Sequence, residues 1–279
     1  MSQKAPPLIS IIVAVYNGAK TLQQCIDSVS HQIYPNKELI IIDGGSLDGT
    51  VELLKKNKAK FSYWISEPDK GIYNAWNKGV LHAKGDWICF LGADDYFWDD
   101  LVLEHMVEPL RNLPSEIRVA YGQVMLVDAN RQSLNLIGEP WGKIKNRFKK
   151  IMCIPHPGSM HRKSLIQEFG PYDESFYIAA DYELLLRELK EREAFYFSNL
   201  ITVGMMEGGI SSDPANSLLA LQEIRRAQKI NGLYYPSWVW SIAIIRVYVR
   251  LLMSRIFGDT WTKKALDLYR GIGQKGSFK

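Results

Sequence analysis

Residues 8–46 read LISIIVAVYNGAKTLQQCIDSVSHQIYPNKELIIIDGGS, and this stretch decides the fold. Leu8 to Val15 is a continuous apolar run rich in β-branched side chains. That is the pattern of a strand buried on both faces of a parallel sheet. Asn17-Gly18 breaks the run. From Thr21 to His31 the apolar positions Leu22, Ile26 and Val29 recur at helical spacing. Leu39 to Ile42 is a second buried strand, ending on Asp43, and Gly44-Gly45-Ser46 is the loop behind it. Strand, helix, strand in this order implies a right-handed crossover within a parallel sheet.

The alternation continues outward. Thr50 to Lys56 restarts a helix, Ser62 to Ser66 is a short strand, and Ile72 to Ala83 is helical. Trp87 to Leu91 is a fourth strand that runs into Gly92-Ala93-Asp94-Asp95. In parallel sheets, ligands bind beyond the carboxyl ends of the strands. The residues to inspect are therefore Tyr16, Asn17, Asp43, Glu67, Asp69, Asp94 and Asp95, an acidic rim fed by four strands. Beyond it the chain is mixed: a helix from Leu101 to Arg111, a strand pair at Val119–Val127 and Leu134–Ile137, and a helix from Asp181 to Glu191. Strand character resumes at Phe195–Phe197 and Leu200–Met206, and Ser217 to Ile230 is a helix.

With 279 residues, 47% of them hydrophobic and 23% charged, the chain can bury a sizeable core and is not a disordered one. A net charge of +4 is too small to point to nucleic acid. The three cysteines, Cys25, Cys89 and Cys153, are far apart and form no CxxC, which fits a reducing cytosol and no structural zinc. Met1 to Pro7 lacks the regions of a signal peptide. No uninterrupted apolar stretch reaches the roughly 20 residues of a simple membrane span.

Two adjacent carboxylates such as Asp94 and Asp95 repel each other unless a cation sits nearby. A hard divalent ion, Mn²⁺ or Mg²⁺, answers that need. The pair reads equally well as the cap of the following helix.

In this order and spacing four runs are specific: PLISIIVAVYNGAKTLQQCIDSVSHQ, ELIIIDGGSLDGT, EPDKGIYNAWNKGVLHAKGDWICFLGADD and, later, IPHPGSMHRKSLIQEFGPYDESFYIAADYELLLREL. Together they resemble the family 2 glycosyltransferases of bacterial polysaccharide type. The resemblance implies an α/β GT-A fold: a Rossmann-like, mostly parallel sheet flanked by helices, here with a C-terminal helical extension. It implies a donor half at 1–100, an acceptor-binding and catalytic half at 101–212, and a helical extension at 213–279. It also implies residue roles. Ala14, Val15, Tyr16 and Asp43 match positions that hold the nucleotide base. Asp69 matches a base or ribose contact. Asp94-Asp95 matches the metal-binding pair, with Asp95 the more direct ligand and Asp94 supporting it or contacting the ribose or sugar. Asp181 matches the catalytic base, against the alternative that it caps the start of its helix. The chain departs from many relatives in having Gly92 where they carry an acid, and Ala180 where they carry Glu.

Other expectations are less tied to the motifs. Lys70 and Lys78 reach toward phosphates or lie on a solvated face. His156, between two prolines, contacts the diphosphate, the metal or the acceptor, or is a turn histidine satisfied by backbone. The loop 208–212 closes over the donor or is a plain linker. Pro236 to Phe257 is apolar almost all round, with Arg246 and Arg250 one turn apart, Arg255 near its end, Trp238 and Trp240 as anchors, and Lys263 and Lys264 beyond. It reads as an interfacial helix on an anionic membrane, against the alternatives of a core helix or a dimer contact. The expected activity is inverting transfer of a sugar from a UDP-sugar to a hydroxyl of a saccharide or lipid-linked saccharide, for cell-surface polysaccharide. The enzyme would work in the cytoplasm, peripheral to the inner face of the membrane. The competing readings are an inactive nucleotide-sugar-binding module and a metal-dependent nucleotidyltransferase. The latter lacks its usual glycine-rich basic loop after the first strand.

Overall fold

Seven elements in strict alternation build the first part of the chain: β1 (Ile9–Val15), α1 (Leu22–Ser30), β2 (Lys37–Asp43), α2 (Thr50–Asn57), β3 (Tyr63–Ser66), α3 (Ile72–His82) and β4 (Trp87–Gly92). There follow β5 (Tyr96–Phe97), α4 (Val102–Leu110), β6 (Val119–Val127), β7 (Ser133–Ile137), α5 (Trp141–Phe148), β8 (Met160–Arg162), α6 (Lys163–Phe169), α7 (Ala180–Leu189), β9 (Phe195–Met206), α8 (Ser217–Ile230) and α9 (Trp238–Phe257). The computed structural model describes residues 5–209 and 216–257.

One nine-stranded sheet runs through the molecule in the order β3-β2-β1-β4-β8-β6-β9-β5, with β7 beside β6. The first four strands are parallel, as their apolar runs and helical crossovers require. Their side chains alternate between two cores. Ile12, Ile40, Ile42, Ile88 and Phe90 face Trp76 of α3 and Leu184 of α7. Ile11, Val13, Ile41, Cys89 and Leu91 face Ile26 of α1 and Leu103 of α4. Because both faces are covered, no polar alternation marks these strands in the sequence. The register sets Val15 beside Asp43, Asp43 beside Ser66, and Ala14 beside Gly92. All these positions end the strands along one rim.

The second half continues the same sheet. β8 lies antiparallel to β4 and to β6, and β9 runs parallel to β6. Phe195–Phe197 and Leu200–Met206, expected as separate pieces, are one strand. The register against β6 slips between Tyr121 and Gln123, where Asn199 adopts a left-handed φ of 58°. The polar Ser198-Asn199 step is thus a bulge inside a strand rather than its end. α9 packs on α8, with the Trp240 indole donating to the Leu221 carbonyl at 2.7 Å. No residue of α9 with a described side chain is fully buried. Among the described residues no helix is long and apolar enough to cross a membrane.

Candidate active site

The loops behind β1, β2 and β3 are laced together at the rim. Asp43 is fully buried. Its Oδ2 accepts from the Gly45 N–H (3.2 Å), the Ser46 N–H (3.0 Å) and the Ser66 hydroxyl (2.6 Å), and its Oδ1 from the Ser46 hydroxyl. The Asn17 N–H donates to Ser46 Oγ at 2.7 Å, and Asn17 Oδ1 accepts from the Leu47 N–H at 2.9 Å. Asp69 binds the Gly71 N–H at 2.8 Å and lies against Gly44, where a Cβ would sit only 2.5 Å from its Oδ2. Asp43 and Asp69 are therefore neighbours across one glycine. Tyr16 stands out from this floor, 66% exposed, while Ala14 is half-buried beneath it.

At the end of β4 the two carboxylates part company. Asp94 is exposed; Asp95 is 5% exposed and turns inward, accepting from the Gly92 N–H (3.1 Å) and the Met206 N–H (3.3 Å). Burial, and next the charge of Asp94, push the Asp95 carboxyl up to about 7. Both carboxylates converge over Gly92: a Cβ there would lie 2.7 Å from Asp95 Oδ2 and 2.8 Å from Asp94 Oδ1. Glycine at 92 is what leaves room for the pair. The cap alternative does not apply, because the next helix begins at Val102, preceded by Leu101.

Asp181 is the second residue of α7, whose cap position is Ala179, so it is not an N-cap either. It is half-buried, binds the Tyr182 N–H at 2.7 Å and lies 3.4 Å from the Tyr73 hydroxyl. Burial pushes its carboxyl up to about 6. His156 is buried among aromatic rings, stacked on Trp76 and Phe90, with Nε2 3.0 Å from the Tyr172 hydroxyl. Its partner is thus a side chain and not backbone. Burial, and next the His161 ring, hold it well below the usual imidazole range, so it is uncharged at neutral pH. Lys70 is exposed, whereas Lys78 pairs with Glu67 at 2.7 Å. Of the 208–212 loop, residues 210–212 lie outside the described residues, as do Lys263, Lys264 and the side chains of Arg250 and Arg255.

The sequence profile of glycosyl transferase family 2 matches residues 10–170. The chain belongs to that family. An uncharacterized glycosyltransferase of Mycobacterium tuberculosis is 36% identical over 187 residues, 65% of this chain and 68% of that one. A PGL/p-HBAD biosynthesis glycosyltransferase of Mycobacterium bovis is 30% identical over 191 residues, 66% of this chain and 70% of its own. Among solved structures, S. aureus TarS in complex with UDP-GlcNAc superposes with a TM-score of 0.64 at 17% identity, over 91% of this chain and 74% of that one. The mannosyltransferase PcManGT from Pyrobaculum calidifontis, in complex with GDP-Man and Mn²⁺, gives 0.63 at 13% identity, over 98% and 82%. Identities this low speak to the fold, and the fold is GT-A.

A family 2 glycosyltransferase is an enzyme, which sets aside the inactive-module and nucleotidyltransferase readings. The matched span contains Asp43, Asp69, Asp94, Asp95 and His156 but stops short of Asp181. Among the described residues no group of three or more His, Cys, Asp or Glu could hold a metal ion. The acidic pair still suits Mn²⁺ or Mg²⁺, which commonly take one or two carboxylates and complete their shells with water and substrate phosphate. Two residues around Asp181 gave no sequence signal as site residues: Tyr73 on α3 and Glu223 on α8. Both sat inside ordinary helical patterns and face the site only through tertiary packing.

Proposed function

We propose that this glycosyltransferase moves a sugar from a UDP-sugar, with inversion, to a hydroxyl of a saccharide or lipid-linked saccharide in cell-surface polysaccharide synthesis. The observation that carries this is a pair of acidic centres with different jobs. Asp94 and Asp95 converge over Gly92 at the end of β4. Asp181 opens α7 with a proton affinity suited to a base near neutral pH.

In this reading the rim built by Asp43, Asp69, Ala14 and Tyr16 receives the nucleotide, and exposed Lys70 reaches its phosphates. Asp94 and Asp95 would hold Mn²⁺ or Mg²⁺, which when bound would offset charge on the departing diphosphate. Asp181 takes the proton from the acceptor hydroxyl as that oxygen bonds to the anomeric carbon. The bond from that carbon to the diphosphate oxygen breaks in the same step. One displacement inverts the configuration. His156, neutral and wedged among rings, supports the wall beneath the diphosphate and brings no charge to it.

The UDP preference rests on likeness to TarS, solved with UDP-GlcNAc; PcManGT, solved with GDP-Man, makes GDP-sugars the competing donors. A polysaccharide or glycolipid acceptor accords with the M. bovis relative's name. Segment 236–257 provides the membrane surface contact, keeping the enzyme cytoplasmic and peripheral at the inner face. On α9, Trp238, Ile242, Ile245, Val249 and Leu252 are all exposed and recur at helical spacing on one side. Arg246 is exposed among them, and a cavity of about 360 Å³ between α8 and α9 is lined by Arg225, Arg226, Lys229 and Trp240.

The test is thermal stabilisation and hydrolysis across UDP- and GDP-sugars with and without Mn²⁺. A UDP-sugar that raises the melting temperature only with the metal is the expected result. Metal-independent binding, or a response confined to GDP-sugars, overturns the metal or the donor assignment respectively.

A further inference from the structure

We propose that Glu223, on α8, is a positioning residue for Asp181: its carboxylate holds the backbone that aims Asp181. The proposal rests on the reading of Asp181 as the base. Glu223 is 7% exposed. Its Oε1 accepts from the Tyr177 N–H at 2.8 Å, and its Oε2 from the Ile178 and Ala179 N–H groups at 2.8 and 3.0 Å. These three consecutive residues lead directly into Ala180 and Asp181.

The start of a helix leaves backbone N–H groups without partners, and a side chain at the cap position ordinarily satisfies one. The cap position of α7 is Ala179, which has no polar side chain. Glu223 does not take that place: from another helix it accepts from Ala179 and the two residues before it, fixing the stretch of chain that enters α7. A negative group at a helix N-terminus is also favoured by the helix dipole. From the opposite side, the Tyr73 hydroxyl of α3 donates to the Ile178 carbonyl and lies 3.4 Å from Asp181 Oδ1. The segment 177–179 is thus clamped between α3, in the donor half, and α8, in the extension. Further contacts of α8 bracket the same point: Arg226 donates to the Ser175 carbonyl at 3.1 Å, Gln228 lies 3.3 Å from the Tyr182 hydroxyl, and Asn231 donates to Glu183 at 3.1 Å.

The Glu223 carboxylate is held by backbone N–H groups and not, among the described residues, by a cationic side chain. Its charge is therefore felt nearby. The ionisable groups facing Asp181 are Tyr73 from α3, Tyr172 from the segment before α7 and Glu223 from α8. Burial is the main cause that raises the Asp181 carboxyl, and Glu223 adds a smaller push in the same direction. A purely mechanical anchor would share the geometry but not this electrostatic reach.

Glu223→Gln in the full chain, assayed for kcat and KM from pH 5 to 9, separates the two. A misaimed base costs about ten- to a hundredfold in kcat, while donor KM and donor-induced thermal stabilisation stay near wild type. The acid limb of kcat moves to lower pH, because Asp181 loses an anionic neighbour. Gln228→Ala, which loosens α8 without touching 177–179, leaves that limb in place. A Glu223→Gln enzyme with wild-type kcat, or with an unmoved acid limb, overturns the proposal. If Glu223→Gln does not fold, Glu223→Asp, which keeps the carboxylate but shortens its reach to 177–179, takes its place, and wild-type kcat in that variant overturns the proposal. Asp181→Asn isolates the parent reading. If it retains transfer, Asp181 is not the base. If it abolishes transfer while Glu223→Gln changes nothing, only the positioning role fails.

Discussion

Asp94 and Asp95 are adjacent in the chain and opposite in environment. One is exposed, and the other is buried with its carboxyl raised to about 7 by burial and by its neighbour. The identity of the pair was legible because strand ends can be read from apolar runs. Which of the two turns inward was not, because that depends on Met206, 111 positions away. A consequence concerns protons. Near pH 7 a substantial fraction of Asp95 carries a proton that a cation must displace, so Mn²⁺ binding releases protons and weakens as pH falls through about 7. Calorimetry of Mn²⁺ binding in two buffers of different ionisation enthalpy should show it; identical heats would argue that Asp95 takes no part. Asp181 is the second residue-scale case. With its carboxyl at about 6, kcat falls as pH drops through that value, since the protonated form cannot accept the acceptor's proton. Asp181→Asn is expected to lose about 10²- to 10⁴-fold in kcat while still being stabilised by donor. Near wild-type turnover would send the search for the base elsewhere.

Among the elements, those with long periodic or apolar signatures were readable and the short ones were not. β6, at Val119–Val127, and α8, at Ser217–Ile230, have the boundaries the sequence implied. β8 is three residues long and carries no periodicity, yet it fills the gap between β4 and β6. α5 escaped notice although Trp141, Ile144 and Phe148 are buried at helical spacing. Its five other residues are Gly142, Lys143, Lys145, Asn146 and Arg147, so three apolar positions in eight residues are too few to show a period. α9 was legible as apolar, but only packing distinguishes its docked side, fixed by Trp240, from the open one. If the open side meets lipid, Ile242, Ile245 and Val249 together replaced by Ser should reduce partitioning into phosphatidylglycerol vesicles by at least about tenfold, since each buried aliphatic side chain contributes on the order of 1.5–3 kcal/mol. Flotation that is unchanged in the triple variant would assign the face to a protein contact instead.

At the scale of the molecule, residues 1–100 and the strands that follow are one sheet. β4, the last long strand of 1–100, pairs with β8, and β5 pairs with β9. A fragment ending at Asp100 would bare the β4 edge and strip the cover from Phe90, whose ring packs against His156, His161 and Tyr172. Open apolar edges of this kind template aggregation. Residues 1–100 therefore should not melt cooperatively by themselves, despite carrying Asp43, Asp69, Asp94 and Asp95. A chain ending at Tyr235 is a different matter. It keeps α8, with Glu223 on the 177–179 backbone, and keeps the Leu233 and Tyr234 carbonyls that Arg225 grips. What it loses is α9, joined to the body mainly through α8. That shorter chain should unfold in one transition and retain donor-induced stabilisation and turnover on a soluble acceptor, while losing its hold on vesicles. Differential scanning fluorimetry with a UDP-sugar and Mn²⁺, run on both truncations beside the full chain, distinguishes the cases. A cooperative 1–100 fragment would mean that the two halves are separable domains. An inactive chain ending at Tyr235 would mean that α9 bears on the catalytic centre through α8, the helix that carries Glu223.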